Sequence, residues 1–290
     1  RMRRQMNNVK TIGILGGGQL GRMLSVAASR LGLKTHIFEP SANPPAAHVA
    51  DKTTTASYDD HAALQAFAAS VDVITFEFEN IPTSAPFADV QSADDLAKAL
   101  ETIGTPAILK TRQMGYDGKG QSRIMSPADA PAALADMAGS PAILEGFISF
   151  SHEVSVIGAR SENGAVSCFD PGENLHVNGI LRTTTVPAKL TTSQRTDAVL
   201  IAARILNALD YVGVMGLELF VTPQGLIVNE IAPRVHNSGH WTQNGCAIDQ
   251  FEQHIRAVAG WPLGDGSRHS DVVMENLIGD DMNRLPDLAK

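Results

Sequence analysis

The sequence is poor in three things, and each scarcity narrows the reading before any motif is considered. Cysteine occurs only twice in 290 residues, at Cys168 and Cys246, far apart and in no metal-binding spacing. That usage suits a reducing compartment and makes both thiols structural. Long apolar runs are missing: none approaches the ~18–20 residues that cross a bilayer. The short run Ile12-Gly-Ile-Leu behind the basic start Arg1-Met-Arg-Arg falls short of a secretory signal. A cytoplasmic protein without a membrane partner is expected. The third scarcity is positive charge. Against 31 Asp and Glu stand 23 Lys and Arg, a formal net charge of −8, with no basic stripe to offset it. This argues against a general nucleic-acid binder, so an anionic nucleotide would need a local basic pocket or a bridging metal. There is no repeat and no low-complexity tail. What remains, 43% hydrophobic and 19% charged, is an ordinary globular composition long enough for two or three small domains.

Residues 213–232 read as two apolar strands joined at Pro223-Gln224-Gly225, a three-residue loop with Gly225 at its left-handed position. That register sets Glu218 opposite Glu230, on a face shared with Phe220, Leu226 and Val228. Like charges so opposed are destabilising on their own, and a divalent cation between them removes the penalty; hard carboxylate oxygens suit Mg²⁺. A register shifted by one, with one Glu in solvent, is the alternative that spacing leaves open. Directly after the second strand, residues 229–240 gather two His, one Arg, two Asn and a Ser, a poor core and a good polar site.

Upstream, residues 11–38 alternate as strand, glycine loop, helix and strand, a βαβ unit of a parallel sheet. A helix near His61–Ser70 and the apolar strand Val71–Phe76 continue it. The loop Gly16-Gly-Gly-Gln-Leu-Gly21 fits G-x-G-x-x-G, with Glu39 ending the next strand. A dinucleotide cofactor and a ligand-free tight turn both satisfy this pattern. Glu77 stands at a strand C-terminus, where open α/β sheets bind ligands; a substrate contact and an exposed loop acid are both open there. A second unit is expected from a helix over Ala93–Ile103, a strand Ala107–Lys110, a glycine loop Gln113–Gln121, a helix around Ala128–Ala138 and a strand Ala142–Glu145. Lys110 on its strand, followed by a glycine loop with a second Lys, can meet nucleotide phosphates. It is not a P-loop, because G-x-x-x-x-G-K-[ST] is absent; a solvated hairpin is the alternative. Strands over Glu153–Ala159 and Ala165–Phe169 follow, then a long helix Ser193–Asp210. On that helix Val199, Leu200, Ala203, Leu206 and Leu209 fall near a 3.6-residue period and predict the buried face. Trp241 and Trp261 read as packing residues.

The strand pair resembles the metal-binding pair of the ATP-grasp superfamily. The run Pro233-Arg-Val-His-Asn-Ser-Gly-His-Trp-Thr-Gln-Asn-Gly245 is similar to the N5-carboxyaminoimidazole ribonucleotide synthetase family of purine biosynthesis. The resemblance runs in order from Gly16 to Gly245. It implies a mixed α/β and α+β chain: an N-terminal doubly wound pre-ATP-grasp domain over residues 1–85, a small ATP-grasp subdomain over 86–148 and a large one over 149–290. It implies carboxylation of 5-aminoimidazole ribonucleotide by ATP and bicarbonate through carboxyphosphate, with Mg²⁺, in a homodimer. In this family Lys110, Gly115, Tyr116, Asp117, Gly118, Lys119, Gly120 and Gln121 would bind ATP, and the glycine loop would close over the labile carboxyphosphate. Glu145, Gly146, Phe147 and Ile148 would form the hinge that reads adenine and ribose. Glu153 would add to the ribose contact, with His176, Asn229 and Glu230 near the nucleotide. Glu218 and Glu230 would hold the metal. Gly18, Gln19 and Leu20 would hold the ribonucleotide phosphate, with Glu77, Tyr116 and Asp117 against the same substrate. Arg234, His236, Asn237 and Asp117 would be catalytic, Arg234 holding bicarbonate or carboxyphosphate.

Two departures stand out. Family members carry a few dozen residues where this chain passes from Ala85 to Pro86, so an Arg expected there on the nucleotide cannot be named. The chain also stops at Lys290, ahead of a basic residue expected near the substrate phosphate. A formate-dependent glycinamide ribonucleotide transformylase would share the carboxylates, Lys and loop, but not residues 233–245. A nicotinamide oxidoreductase and a non-catalytic nucleotide sensor are the readings from other classes.

Overall fold

The computed structural model describes residues 9–77, 87–112 and 120–288. The junction at Ala85–Pro86 and the loop residues Gly115, Tyr116, Asp117, Gly118 and Lys119 lie outside the described residues.

Three sheets build the molecule. The first contains β1 (Thr11–Leu15), α1 (Gln19–Arg30), β2 (Lys34–Phe38), β3 (Lys52–Thr54), α2 (His61–Ala69) and β4 (Val73–Phe76). Its strands are parallel in the order β3-β2-β1-β4. Alternation along β1 places Ile12 and Ile14 in one core with Leu24, Ala27 and Ala28 of α1. Gly13 points the other way, where an added Cβ would stand 2.8 Å from Phe67 of α2. Helices thus cover both faces of a doubly wound sheet. The strand order reverses between β1 and β4, so the cleft opens at the C-terminal ends of those two strands, where Gly16 and Glu77 leave the sheet.

The second sheet contains β5 (Phe87–Val90), α3 (Ala93–Ile103), β6 (Ala107–Thr111), β7 (Gln121–Ile124), α4 (Ala130–Asp136) and β8 (Ala142–Gly146). It is antiparallel in the order β5-β8-β6-β7. The helix expected around 128–138 opens instead with a 3₁₀ turn, Pro127–Asp129, because Asp129 folds back onto the Ser126 N–H and hydroxyl. Its core, including Val90, Leu96, Leu109, Ile124 and Leu144, shares no residue with the other two cores.

The third sheet contains β9 (His152–Arg160), β10 (Val166–Cys168), β11 (Gly172–Val177), β12 (Ile180–Val186), then α5 (Thr192–Ala208), β13 (Gly213–Thr222), β14 (Gly225–Ala232), α6 (Thr242–Gly245), α7 (Gln250–Val258) and β15 (Val272–Glu275). The strands run antiparallel in the order β14-β13-β9-β11-β12-β15, with β10 paired to β9. α5 covers one face, burying Ala198, Ala202 and Leu206. Leu200 and Leu209, expected on that face, are 45% and 53% exposed. The helix turns its small residues inward so that Leu206 can approach β9 at Gly158, where a Cβ would sit 2.9 Å from Leu206 Cδ1. The opposite face carries Ile157, Ala159, Val214 and Val235 into the same core as Phe251 and Ile255 of α7 and Ile12, Ile14 and Leu24 of the first sheet. Arg30 of α1 closes the rim of this seam on Asp249 and Glu252 at 3.1 and 3.4 Å.

Leu24, fully buried in the fused core, should cost about 2–5 kcal/mol on truncation to Ala, read from denaturant unfolding. Leu109→Ala, in the separate core of the second sheet, should speed amide exchange there and leave exchange at β13 unchanged.

Candidate functional site

The acidic centre starts from the hairpin. Glu218 does oppose Glu230, but through a different register from the one expected. The connection is two residues, Pro223-Gln224, since Thr222 pairs with Gly225, and a bulge between Glu218 and Leu219 restores the opposition by leaving Asn229 as the extra residue. The bulge also flips the faces of β14 beyond it. Leu226 and Val228 pair with Val221 and Leu219 and pack against the α5 core, while Ile227, opposite Phe220, shares the face of the glutamates. Glu218 has 14% of its side chain exposed and Glu230 faces solvent. Burial, then the charge of Glu230, push the Glu218 carboxyl up to about 7. The amide of Asn229 donates to it at 3.4 Å.

Neighbouring strands bring in Glu153 from β9 and His176 from β11. His176 Nδ1 lies 2.6 Å from Glu153, and one ligand atom from each of Glu153, His176 and Glu218 falls within 4.8 Å of the others. Burial works against a charge on His176, but Glu153, Glu218 and Glu230 outweigh it and raise its pKa. Hard oxygens from two strands, one carboxyl strained toward its neutral form, are a donor set that fits a small divalent cation.

The polar run closes over this cluster. His236 is held by its own short turn: Nδ1 meets the Ser238 hydroxyl at 2.8 Å and its N–H at 3.4 Å. Gln250 brackets it, accepting from the His236 N–H at 2.9 Å and donating to its carbonyl at 2.8 Å. With Nδ1 accepting from a backbone N–H, the ring proton sits on Nε2, 3.8 Å from Glu218. Burial, then the charge of Arg234, hold its pKa down at about 3, so the ring is a neutral donor. Gly216 makes room for it, since a Cβ there would stand 2.7 Å from His236 Cβ. Asn237 Oδ1 and His240 Nε2 are buried without a partner among the described residues, polar atoms turned to a ligand side. Arg234 donates to the Val235 carbonyl at 2.9 Å.

From the second sheet, Lys110 pairs with Glu145 at 2.6 Å, joining the expected phosphate and adenine-side residues in one ion pair. Glu145 is 4% exposed and Phe147 is 40% exposed; Gly146 and Ile148 are intermediate between them. Gln121 pairs with Lys110 across β6 and β7, and Gly120, at φ +70°, packs against Thr111, where an added Cβ would lie 2.4 Å from its hydroxyl.

The glycine loop meets two carboxylates of the chain itself. The Glu77 carboxylate takes the N–H groups of Gly18 and Gly21, both at 2.5 Å, and Glu39 takes that of Gly17 at 2.9 Å. Of the residues expected at the substrate phosphate, Gly18 thus gives its N–H to Glu77, while no such contact with a carboxylate is seen at Gln19 or Leu20 among the described residues. The same contacts explain the glycines: a Cβ on Gly16 would lie 2.4 Å from Glu77, and one on Gly17 would meet Pro44 and Glu39. Glu39 is further engaged by the Ser41 N–H and by Tyr58, which removes it as the ribose acid of a dinucleotide site. Burial pushes the Glu77 carboxyl up, against the pull of the two N–H groups and of the Arg234 charge.

Sequence reasoning missed Gly216, Ser238 and Gln250, which orient His236, and the filling of the glycine loop. Gly216 alone left a signal, a glycine inside an apolar strand. Asp117, Tyr116 and the rest of Gly115–Lys119 are the expected site residues outside the described ones.

A ribonucleotide synthetase preATP-grasp domain model matches residues 9–113, and an ATP-grasp domain model matches residues 75–251. The N5-carboxyaminoimidazole ribonucleotide synthase of Brucella melitensis is 50% identical, covering 95% of this chain and 88% of its own length. Its alignment runs over 317 positions, more than this chain has residues, so the relative carries residues without a counterpart here. The synthase of Pseudomonas aeruginosa is 39% identical over 92% of this chain and 84% of its own. A solved ADP complex of an N5-carboxyaminoimidazole ribonucleotide synthetase superposes with TM-score 0.91 at 38% identity, covering 97% and 85% of the two chains. The Aspergillus clavatus enzyme with ADP and 5-aminoimidazole ribonucleotide gives TM-score 0.89 at 27% identity, covering 97% and 86%.

The raised Glu218 carboxyl carries a signed prediction. Its folded pKa, about 7, lies above the ordinary 4.5, so stability conferred by the protonated form is present below 4.5 and is lost as pH rises through 7. Without divalent metal, Glu218→Gln and the parent should melt alike at pH 5, and the variant should gain Tm over the parent by pH 8. A constant difference across that range contradicts the assignment.

Proposed function

The chain belongs to the N5-carboxyaminoimidazole ribonucleotide synthases of the ATP-grasp superfamily, and from that premise we infer that it is a ligase joining a carboxyl group to the exocyclic amine of 5-aminoimidazole ribonucleotide. The γ-phosphoryl group of ATP passes to a bicarbonate oxygen, giving carboxyphosphate and ADP. The amine then attacks the carboxyl carbon, forming the C–N bond as phosphate is expelled and the amine proton leaves. Bicarbonate is a poor electrophile, and phosphorylation supplies the leaving group it lacks.

The observation that carries this reading is the pairing of Glu218 with Glu230 across the hairpin, with Glu218 3.8 Å from His236 Nε2 and clustered with Glu153 and His176. Mg²⁺ on Glu218 and Glu230, when bound, would neutralise charge on the transferring phosphoryl group. Lys110 meets the same phosphates after leaving Glu145, and Glu145 with Gly146, Phe147 and Ile148 takes the adenine side, Glu153 and His176 the ribose side and Asn229 the phosphate side. Arg234 offers a planar fork to bicarbonate or carboxyphosphate. The neutral His236 Nε2–H orients an oxygen beside Glu218 without titrating in the working range. Asn237 Oδ1, buried and without a partner among the described residues, is an acceptor placed for the substrate amine, and Asp117 is retained as the residue that removes its proton. Glu77 keeps lone pairs for ribose hydroxyls, and the loop Gly18, Gln19 and Leu20 takes the substrate phosphate, Glu77 holding the N–H groups of Gly18 and Gly21 and Tyr116 lying against the same substrate. A homodimer is carried over from the family resemblance. Two free cysteines, Cys168 and Cys246, support a reducing, cytoplasmic setting. No described helix is long and apolar enough to cross a membrane.

ADP release should depend on both 5-aminoimidazole ribonucleotide and bicarbonate; release indifferent to both overturns the reading. Glu230→Gln should abolish turnover at saturating Mg²⁺ with Tm within a few degrees of the parent, and near-normal ADP production would remove the metal assignment. Glu77→Gln should raise KM for the ribonucleotide about tenfold or more with KM for ATP unchanged.

A further inference from the structure

His254 on α7 is fully buried and bridges two sheets. Its Nδ1 accepts the Val214 N–H at 2.9 Å, at the start of β13. A backbone N–H can only donate, so the ring proton sits on Nε2 and is given to Thr75 Oγ1 on β4, 2.8 Å away. Room for the ring comes from Gly213, held at φ +135°, where a Cβ would stand 2.9 Å from His254 Cε1 and 3.0 Å from the Tyr211 hydroxyl. That hydroxyl in turn donates to the Pro233 carbonyl at 2.5 Å, the residue before Arg234. Burial keeps the ring neutral, with its pKa down near 4; the groups bonded to it, Thr75 and Val214, carry no charge.

Side chains two apart on a strand share a face. Thr75, on β4, reaches His254, and Glu77, just past the strand end, reaches the glycine loop and feels the charge of Arg234. We propose that His254 is a positioning residue: through Thr75 it fixes the end of β4, and with it the Glu77 carboxylate, against the sheet that carries Glu218 and Arg234. The ladder to β1 sets the register of β4 within its own sheet and Arg30 ties α1 to α7 at the rim, but the apolar seam between the sheets is non-directional and does not itself fix the end of β4 against β13. The Thr75–His254–Val214 chain is directional at both ends, and a slip of β4 leaves a buried N–H without an acceptor.

The role of Glu77 toward substrate rests on the function proposed above, whereas its placement does not, and two arms keep these apart. Amide exchange by mass spectrometry over Gly16–Arg22, whose Gly18 and Gly21 N–H groups are held by Glu77, reads placement without turnover. Thr75→Val should accelerate exchange there about tenfold or more, while Thr75→Ser, which keeps the hydroxyl, should match the parent. His254→Leu, which removes the donor to Thr75, should accelerate exchange in this peptide as Thr75→Val does, and His254→Gln, whose side-chain amide can still donate, should keep it parent-like; parent-like exchange in His254→Leu overturns the proposal even if Thr75→Val does not fold. In kinetics, Thr75→Val should raise KM for 5-aminoimidazole ribonucleotide and leave KM for ATP alone, and the effect should vanish in a Glu77→Gln background. Parent-like exchange in Thr75→Val, or full additivity with Glu77→Gln, overturns the proposal. Altered exchange in a protein without ribonucleotide-dependent ADP release supports the placement and sinks only the functional reading.

Discussion

The seam between α1 and α7 is the constraint on which the rest of this molecule depends. Ile12, Ile14 and Leu24 on one side and Val214, Phe251 and Ile255 on the other form one core, so the parallel sheet and the large antiparallel sheet are a single packed body. The glycine loop leaves the first sheet and the polar run leaves the third, and the core beneath the two is continuous. The small sheet stands outside that arrangement. Its core is its own, and the Lys110–Glu145 pair it contributes can shift relative to the acids without opening apolar contacts of the fused body. A nucleotide held between a fixed floor and a separately packed roof fits this division.

Electrostatics sets the second constraint. Glu153, Glu218 and Glu230 come together from three adjacent strands in a chain that is already acidic. Burial first, then neighbouring carboxylates (Glu230 for Glu218, Glu39 for Glu77), push Glu218 and Glu77 toward their neutral forms. An arrangement of this kind is costly for folding and is retained where a cation and a substrate complete it. The neutral histidines belong to the same logic. His236 and His254 each spend one ring nitrogen on a backbone N–H, which fixes the tautomer and turns the other nitrogen into a donor of fixed direction.

Much of this was legible in the sequence because it is local. The helices over His61–Ala69 and Ala93–Ile103, the βαβ start and the density of polar residues after β14 follow from spacing and composition within a dozen residues. What was not legible depends on distant partners. Nothing near Gly16–Gly21 announces that Glu77, some sixty residues on, fills the loop, so the pattern reads as a ligand site. The buried face of α5 was misassigned at Leu200 and Leu209 because the apolar period there fits more than one face, and Gly158 on β9 selects among them. The hairpin is the instructive case: the opposition of Glu218 and Glu230 was foreseen with a three-residue loop, whereas it arises from a two-residue loop and a bulge, and only the bulge accounts for Leu226 and Val228 on the far face.

That bulge makes the hairpin a kind of vernier. Between Leu219 and the turn the two strands count residues in step; past Asn229 they count one apart. The turn therefore answers to local backbone chemistry alone, and the acid pair answers to the extra residue four positions beyond Gly225. Changes at Pro223-Gln224 that keep the loop at two residues leave the spacing of the carboxylates untouched, whereas a residue gained or lost between Val228 and Glu230 would turn one acid to the opposite surface of the sheet. Sequence drift in this protein is thus cheap at the exposed tip and forbidden one step short of the paired acids.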